Sequence, residues 1–191
     1  MRWLTLYARS RQVPASFAAV VISTALGWAF TGDGGDGSGD PRLPLLILGA
    51  GVMAVSIGLS GQDLALDRTA AIRWLPRRVA HVLLAGVIVG AVLMTAQATS
   101  GWTVPVELVV RGCGGLMGLA ALGAVVLGGP YAWSLPFGWL TLALFAPPAT
   151  CVPMQVATWM LLPPDTAAGT WTALALSLLG TAAYAVAGPK R

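Results

Sequence analysis

Apolar residues run along this chain in long blocks, not in an alternating or amphipathic pattern, and polar residues gather in the short gaps between blocks. Six blocks can be drawn: Pro14 to Phe30, Leu43 to Gly61, Val79 to Ala98, Val106 to Gly128, Ser134 to Ala149, and Thr170 to Gly188. A helix needs about 20 apolar residues to cross the ~30 Å hydrocarbon core of a bilayer. Only a helix satisfies its own backbone groups in lipid, and the alternation of a barrel strand is missing here. The fifth block is the shortest and is flanked by Pro136, Pro147 and Pro148. The pattern therefore predicts an all-α fold, a polytopic membrane protein with six transmembrane helices in a single domain over residues 1–191.

Composition agrees with the pattern. Hydrophobic residues make up 57% of the chain and charged residues 9%, with mean hydropathy +0.78. A soluble domain carries about 25% charged residues, so this chain cannot coat a water-facing surface. The net charge of +4 comes from basic residues at block ends. With the N-terminus in the cytoplasm, the inner segments collect Arg2, Arg9, Arg11, Arg68, Arg73, Arg77, Arg78, Lys190 and Arg191, and the outer ones hold only Arg42 and Arg111. Such asymmetry predicts cytoplasmic N- and C-termini and accounts for the basic balance without a nucleic-acid partner. The first block has full spanning length and lacks the short core of a cleavable signal peptide.

Two gaps stand out on the outer side. Thr31 to Arg42 is rich in glycine and aspartate, but Asp33, Asp36 and Asp40 lack the spacing and closing glutamate of a calcium loop, so a solvated linker is expected. Residues 151–169 are apolar yet bracketed by Pro153, Pro163 and Pro164. Their helical stretch, MQVATWMLL, is too short to span at 1.5 Å per residue. It should lie in the outer interface or dip in and return, with Trp159 at headgroup depth.

Residues with chemistry are few. Cys113 and Cys151 show no metal-ligand spacing and read as packing residues. No nucleophile elbow, zinc-protease, Walker or haem-ligand motif occurs, which excludes nucleotide hydrolysis by this chain alone. Glu107 and Arg111 stand four apart, on one helical face where they can pair. With Trp159 they are the candidates for a substrate contact or outer gate. Gly86 with Gly90, and Gly114 with Gly118, form small-xxx-small faces suited to close helix contact.

The remaining gap, Gln62 to Arg78, is the one strongly charged island, with four of the ten arginines and two of the six aspartates. Ser60 and Asp63 make a capping box, no helix breaker intervenes from Leu64 to Trp74, and Pro76 is expected to stop the helix. A short amphipathic helix in the cytoplasmic interface follows, with Pro76-Arg77-Arg78 anchoring the next span.

In this layout the chain resembles the membrane subunits of ABC transporters of the type-2 exporter class, most nearly small permease-like proteins of high-GC actinobacteria. The resemblance identifies residues 1–13 with an interfacial helix, residues 62–78 with the coupling helix that docks on an ATPase subunit, and residues 151–169 with an extracellular re-entrant element. It assigns coupling to Asp63, Asp67, Arg68, Arg73, Trp74, Pro76 and Arg77. It implies a bacterial plasma-membrane location, a cytoplasmic ABC ATPase partner and a second membrane subunit of the same or homologous kind. ATP and Mg would sit in the ATPase, with no cofactor or metal in this chain and no catalytic residue of its own. The implied function is ATP-driven export of a hydrophobic or amphipathic substrate such as a lipid, peptide or small molecule.

Two other readings stand beside it. One is a non-transporting membrane scaffold or immunity-type protein that grips a cytoplasmic partner through the same loop. The other is a lipid-modifying enzyme, for which His81, Gln62, Asp63 and Arg77 at the inner interface are the only candidates.

Overall fold

The computed structural model describes residues 42–60, 74–100, 104–147 and 149–190. The first apolar block, the interfacial segment 1–13, and Gln62, Asp63, Asp67, Arg68 and Arg73 lie outside the described residues. Every regular element among those described is a helix. In chain order they are α1 (Arg42–Ser56, prolonged by a 3-10 turn at Ile57–Leu59), α2 (Trp74–Ser100), α3 (Val106–Val126), α4 (Ser134–Phe145), α5 (Val152–Ala157) and α6 (Ala167–Ala187). A second 3-10 turn, Gly129–Tyr131, joins α3 to α4.

Four of these are long and apolar enough to cross a membrane: α1 with its extension, α2, α3 and α6. They begin and end within a few residues of the expected second, third, fourth and sixth blocks. The expected fifth span is different. Its helix, α4, has 12 residues, roughly 18 Å at 1.5 Å per residue, and cannot cross the core alone.

The charged gap also ends differently from expectation. Trp74, Pro76 and Arg77 belong to α2 itself, and Pro76 is the third residue of that helix. A proline there costs little, because the first four N–H groups of a helix have no intrahelical acceptor. Pro76 thus lies inside the spanning helix, and the short helix expected over Leu64–Trp74 falls, but for Trp74, outside the described residues.

α3 is the central element, packed by α1, α2, α4 and α6, with α6 closest of all. Positions 115 to 121 of α3 are buried without interruption, while large apolar side chains such as Val87 on α2 and Leu178 and Val186 on α6 face outward. That is the arrangement of a bundle bathed in lipid, where no hydrophobic drive separates inside from outside and close packing decides which helices touch. Small residues achieve the closeness. A Cβ on Gly86 would lie 3.3 Å from Met117 Cγ, one on Gly90 3.3 Å from Cys113 Sγ, and one on Gly114 3.7 Å from Ser177 Oγ. At Gly118 and Gly180 the backbones of α3 and α6 meet directly.

The helices alternate in direction, and one end of the bundle is tied together by carbonyls that have no intrahelical partner. Helix C-termini leave four such carbonyls each. Lys190 N–H donates to Ala124 O at 2.9 Å, Arg78 Nη1 to Ala185 O at 3.3 Å, and Tyr184 OH to Leu59 O at 2.9 Å. Gly188, with φ of 71°, ends α6 and leaves room for the Arg78 guanidinium, 2.8 Å from where a Cβ would stand. Removing the buried Tyr184 hydroxyl leaves the Leu59 carbonyl without that donor. Tyr184→Phe is therefore expected to cost about 1–3 kcal/mol, seen as a lower thermal midpoint in detergent. An unchanged midpoint would show that this tie contributes nothing.

Candidate functional site

At the opposite end of the bundle, the stretch between α4 and α6 packs back against α3 and α4 as a plug. Cys151 leads into α5, which Pro153 helps to start, and Thr158 closes it by donating to Met154 O at 2.8 Å. Trp139, midway along α4, donates its Nε1–H to Ala157 O at 2.9 Å. The C-terminus of α5 is thereby pinned beside the middle of α4. The predicted short helical stretch is present, shorter at its C-terminal side than expected.

Trp159 follows immediately and is 0% exposed. Its ring lies over Gly115 of α3, where a Cβ would come within 2.7 Å of Cζ2. The ring is enclosed by protein, because Gly115 leaves a notch that it fills. Its Nε1 finds no hydrogen-bond partner among the described residues.

Arg111 stands one turn above that notch, in the second turn of α3, and is 8% exposed. It does not pair with Glu107, which is exposed in the first turn of α3. Its Nη1 donates to Pro163 O at 2.8 Å and its Nη2 donates to Leu162 O. The Asp165 carboxylate adds a favourable Coulombic contribution. The fork of a guanidinium suits two adjacent carbonyls, and charge-assisted bonds of this kind are worth about 1.5–3 kcal/mol each. Glu107 is left at the α3 N-terminus, where the helix dipole favours a carboxylate. Gly169, near the start of α6, admits the latch: a Cβ there would be 2.8 Å from Arg111 Nη1 and 3.2 Å from Trp159 O.

Of the three expected outer-gate residues, the fold brings Arg111 and Trp159 together and leaves Glu107 outside. Trp139, Gly115, Gly169 and the carbonyls of Leu162 and Pro163 complete the plug. A signal for the carbonyls existed in the sequence. Consecutive prolines at 163 and 164 supply no N–H and force the chain out of helix, leaving oxygens that a nearby buried cation can claim.

At the Arg78 end, Pro76 and Arg77 are exposed on the first turns of α2, and His81 is half-buried one turn further on. Cys113 is buried and Cys151 exposed, and neither is in a disulfide. Compared with family models, with curated proteins and with solved structures, the chain matches none.

Proposed function

We propose that this chain is the membrane subunit of an ATP-driven exporter of the ABC type-2 kind, set in a bacterial plasma membrane with six spans and with both termini in the cytoplasm. The observation that carries the reading is the difference between the two ends of the bundle. At one end Arg77 and Arg78 on α2 and Lys190 beyond α6 gather, and the charged stretch 62–73 precedes α2 in sequence. At the other, the stretch before α6 is held on α3 by Arg111. A subunit that receives force from a soluble ATPase needs a charged face on one side and a closable seal on the other. Basic residues favour the cytoplasmic side, which puts the Arg78 end inside.

Residues along α3 are close-packed and apolar, so the substrate path runs between two membrane subunits and not through one. Its lining suits a hydrophobic or amphipathic compound. Asp63, Asp67, Arg68, Arg73, Trp74, Pro76 and Arg77 form the coupling contact, and ATP with Mg is held by the partner. Motion would follow from a difference in contact energy between the two states of the ATPase dimer.

The test is purification in mild detergent followed by ATPase assay with the co-purifying partner. Asp67→Lys combined with Arg68→Glu is expected to lower stimulated ATP turnover at least tenfold, with the melting midpoint unchanged. Full stimulation after residues 62–73 are replaced by a Gly/Ser linker would sink the proposal. The close packing around α3 equally suits a non-transporting scaffold or immunity-type protein. Recovery of a stable partner without nucleotide-binding motifs would favour that second reading.

A further inference from the structure

A cleft of 430 Å³ lies between α2, α3 and α6. Its walls run from Val82 to Met94 on α2 and from Val106 to Met117 on α3, and Ser177 and Thr181 of α6 supply its few polar groups. All of these residues belong to helices long and apolar enough to cross a membrane, and Leu83, Val87 and Val110 on the rim are exposed. The cleft therefore opens on hydrocarbon, not on water. One end of it carries charge. Arg78 stands one turn before Val82, and its Nη1 donates to Ala185 O of α6, one turn beyond Thr181, at 3.3 Å. We propose that the cleft holds one acyl chain of an anionic phospholipid, whose phosphate is bound by Arg78 and Lys190.

Length and size favour that occupant. The α2 wall measures roughly 18 Å at 1.5 Å per residue. One leaflet contributes about 15 Å to a hydrocarbon core of ~30 Å, so the cleft takes an acyl chain for most of its depth. The wall starts one turn from Arg78, and a chain lying along it leaves its headgroup beside the guanidinium. The volume falls in the range of small-ligand sites, about 300–1,000 Å³, and its lining is almost wholly apolar, as a hydrocarbon chain requires.

Charge decides the class of lipid. Arg78 is half-buried between α2 and the end of α6, where Gly188 leaves room for it. A guanidinium carries several N–H donors in a fixed fork, so the bond to Ala185 O leaves others to offer a phosphate, for which that fork is well shaped. Lys190 is exposed at the same end, and its main-chain N–H, not its ammonium, makes the tie to Ala124 O. Among the described residues the carboxylates are Glu107 and Asp165, both at the opposite end. Cationic groups set between spanning helices at one membrane face hold anionic headgroups. A zwitterionic head brings an ammonium of its own, which this end repels.

The test takes the full chain in mild detergent with a trace of dioleoylphosphatidylglycerol that bears a diazirine on one acyl chain. Light should attach the lipid between Val82 and Met94 and between Val106 and Met117, mapped by mass spectrometry. Unlabelled phosphatidylglycerol should compete about tenfold better than phosphatidylcholine with the same chains, and inorganic phosphate should not compete. Ala91→Trp, which fills the cleft from its exposed rim, should abolish this labelling. Leu178→Trp, on the outward face of α6, should leave it unchanged. Arg78→Gln should remove the preference for phosphatidylglycerol, and Arg78→Lys should keep part of it. Lys190→Gln should lower the preference while leaving the Ala124 tie intact, and it serves as the test if Arg78→Gln does not fold. Equal competition by the two lipids would make the cleft a seat for hydrocarbon alone and overturn the proposal. Absence of label from both walls would assign the cleft to a second copy or another stretch of protein and overturn it equally.

Discussion

Gly118→Leu is expected to prevent the chain from reaching its folded state. A Cβ at Gly118 would overlap the backbone of Leu176 and stand 2.7 Å from Ser177 Cα, and a Cβ at Gly180 would overlap the Gly118 backbone in turn. A flexible side chain can swing aside, but here both obstacles are helix backbone, so α3 and α6 would have to separate along their whole contact. Overpacking in a yielding core costs about 1–3 kcal/mol. Without a yielding neighbour the cost should reach ~4 kcal/mol or more, a large share of the roughly 5–15 kcal/mol that holds a domain folded. Gly118→Ala adds the same Cβ and should cost at least about 3 kcal/mol. Gly138 offers the control, since nothing lies within 4 Å of its Cβ position, and its change to Ala should stabilise by up to ~1 kcal/mol through helix propensity. Yield and thermal midpoint in detergent give the measurement. Equal behaviour of the Gly118 and Gly138 variants would refute the close crossing.

Arg111→Met should release the plug between α5 and α6 from α3. It removes the bonds to the carbonyls of Leu162 and Pro163 and leaves both without that donor in a low-dielectric setting. The combined loss is expected at about 3–5 kcal/mol. The local consequence is distinctive: Trp159 loses its lid, so its fluorescence should shift to the red and the loop after α4 should become sensitive to protease. Arg111→Lys should restore only part of the stability, because an ammonium is a point charge and cannot bridge two carbonyls as a fork does. Glu107→Gln should change stability by less than about 0.5 kcal/mol. If Glu107→Gln proved as damaging as Arg111→Met, the pair on the helix face, and not the latch, would be the working contact.

That comparison marks where reasoning along the chain succeeded and where it stopped. A spacing of four between Glu107 and Arg111 correctly put them on one helical surface, but spacing knows nothing of what approaches from elsewhere. The carbonyls of Leu162 and Pro163, more than fifty residues on, offered a better match to the guanidinium. Trp159 was singled out by a rule about interfaces, and that rule could not foresee the notch at Gly115 that encloses the ring. Gly86, Gly90, Gly114 and Gly118 were read correctly as contact faces, whereas the partner glycine of the tightest crossing, Gly180, was not singled out. Pro76 was treated as a helix stop because prolines break interiors. Its position in the first turn of α2 shows the opposite use.

Local sequence determined that the chain is helical and built for lipid. The apolar blocks at Leu43–Gly61, Val79–Ala98, Val106–Gly128 and Thr170–Gly188 correspond closely to α1, α2, α3 and α6, because in a bilayer the backbone has few alternatives to helix and block length is set by membrane thickness. Tertiary structure alone decided that α3 is the hub, that α4 is only 12 residues long, and that the following stretch is held on α3 by Arg111. Those outcomes depend on which small residue faces which backbone across helices distant in the chain. Such complementarity is a property of surfaces brought together by the fold, and no single helix carries it.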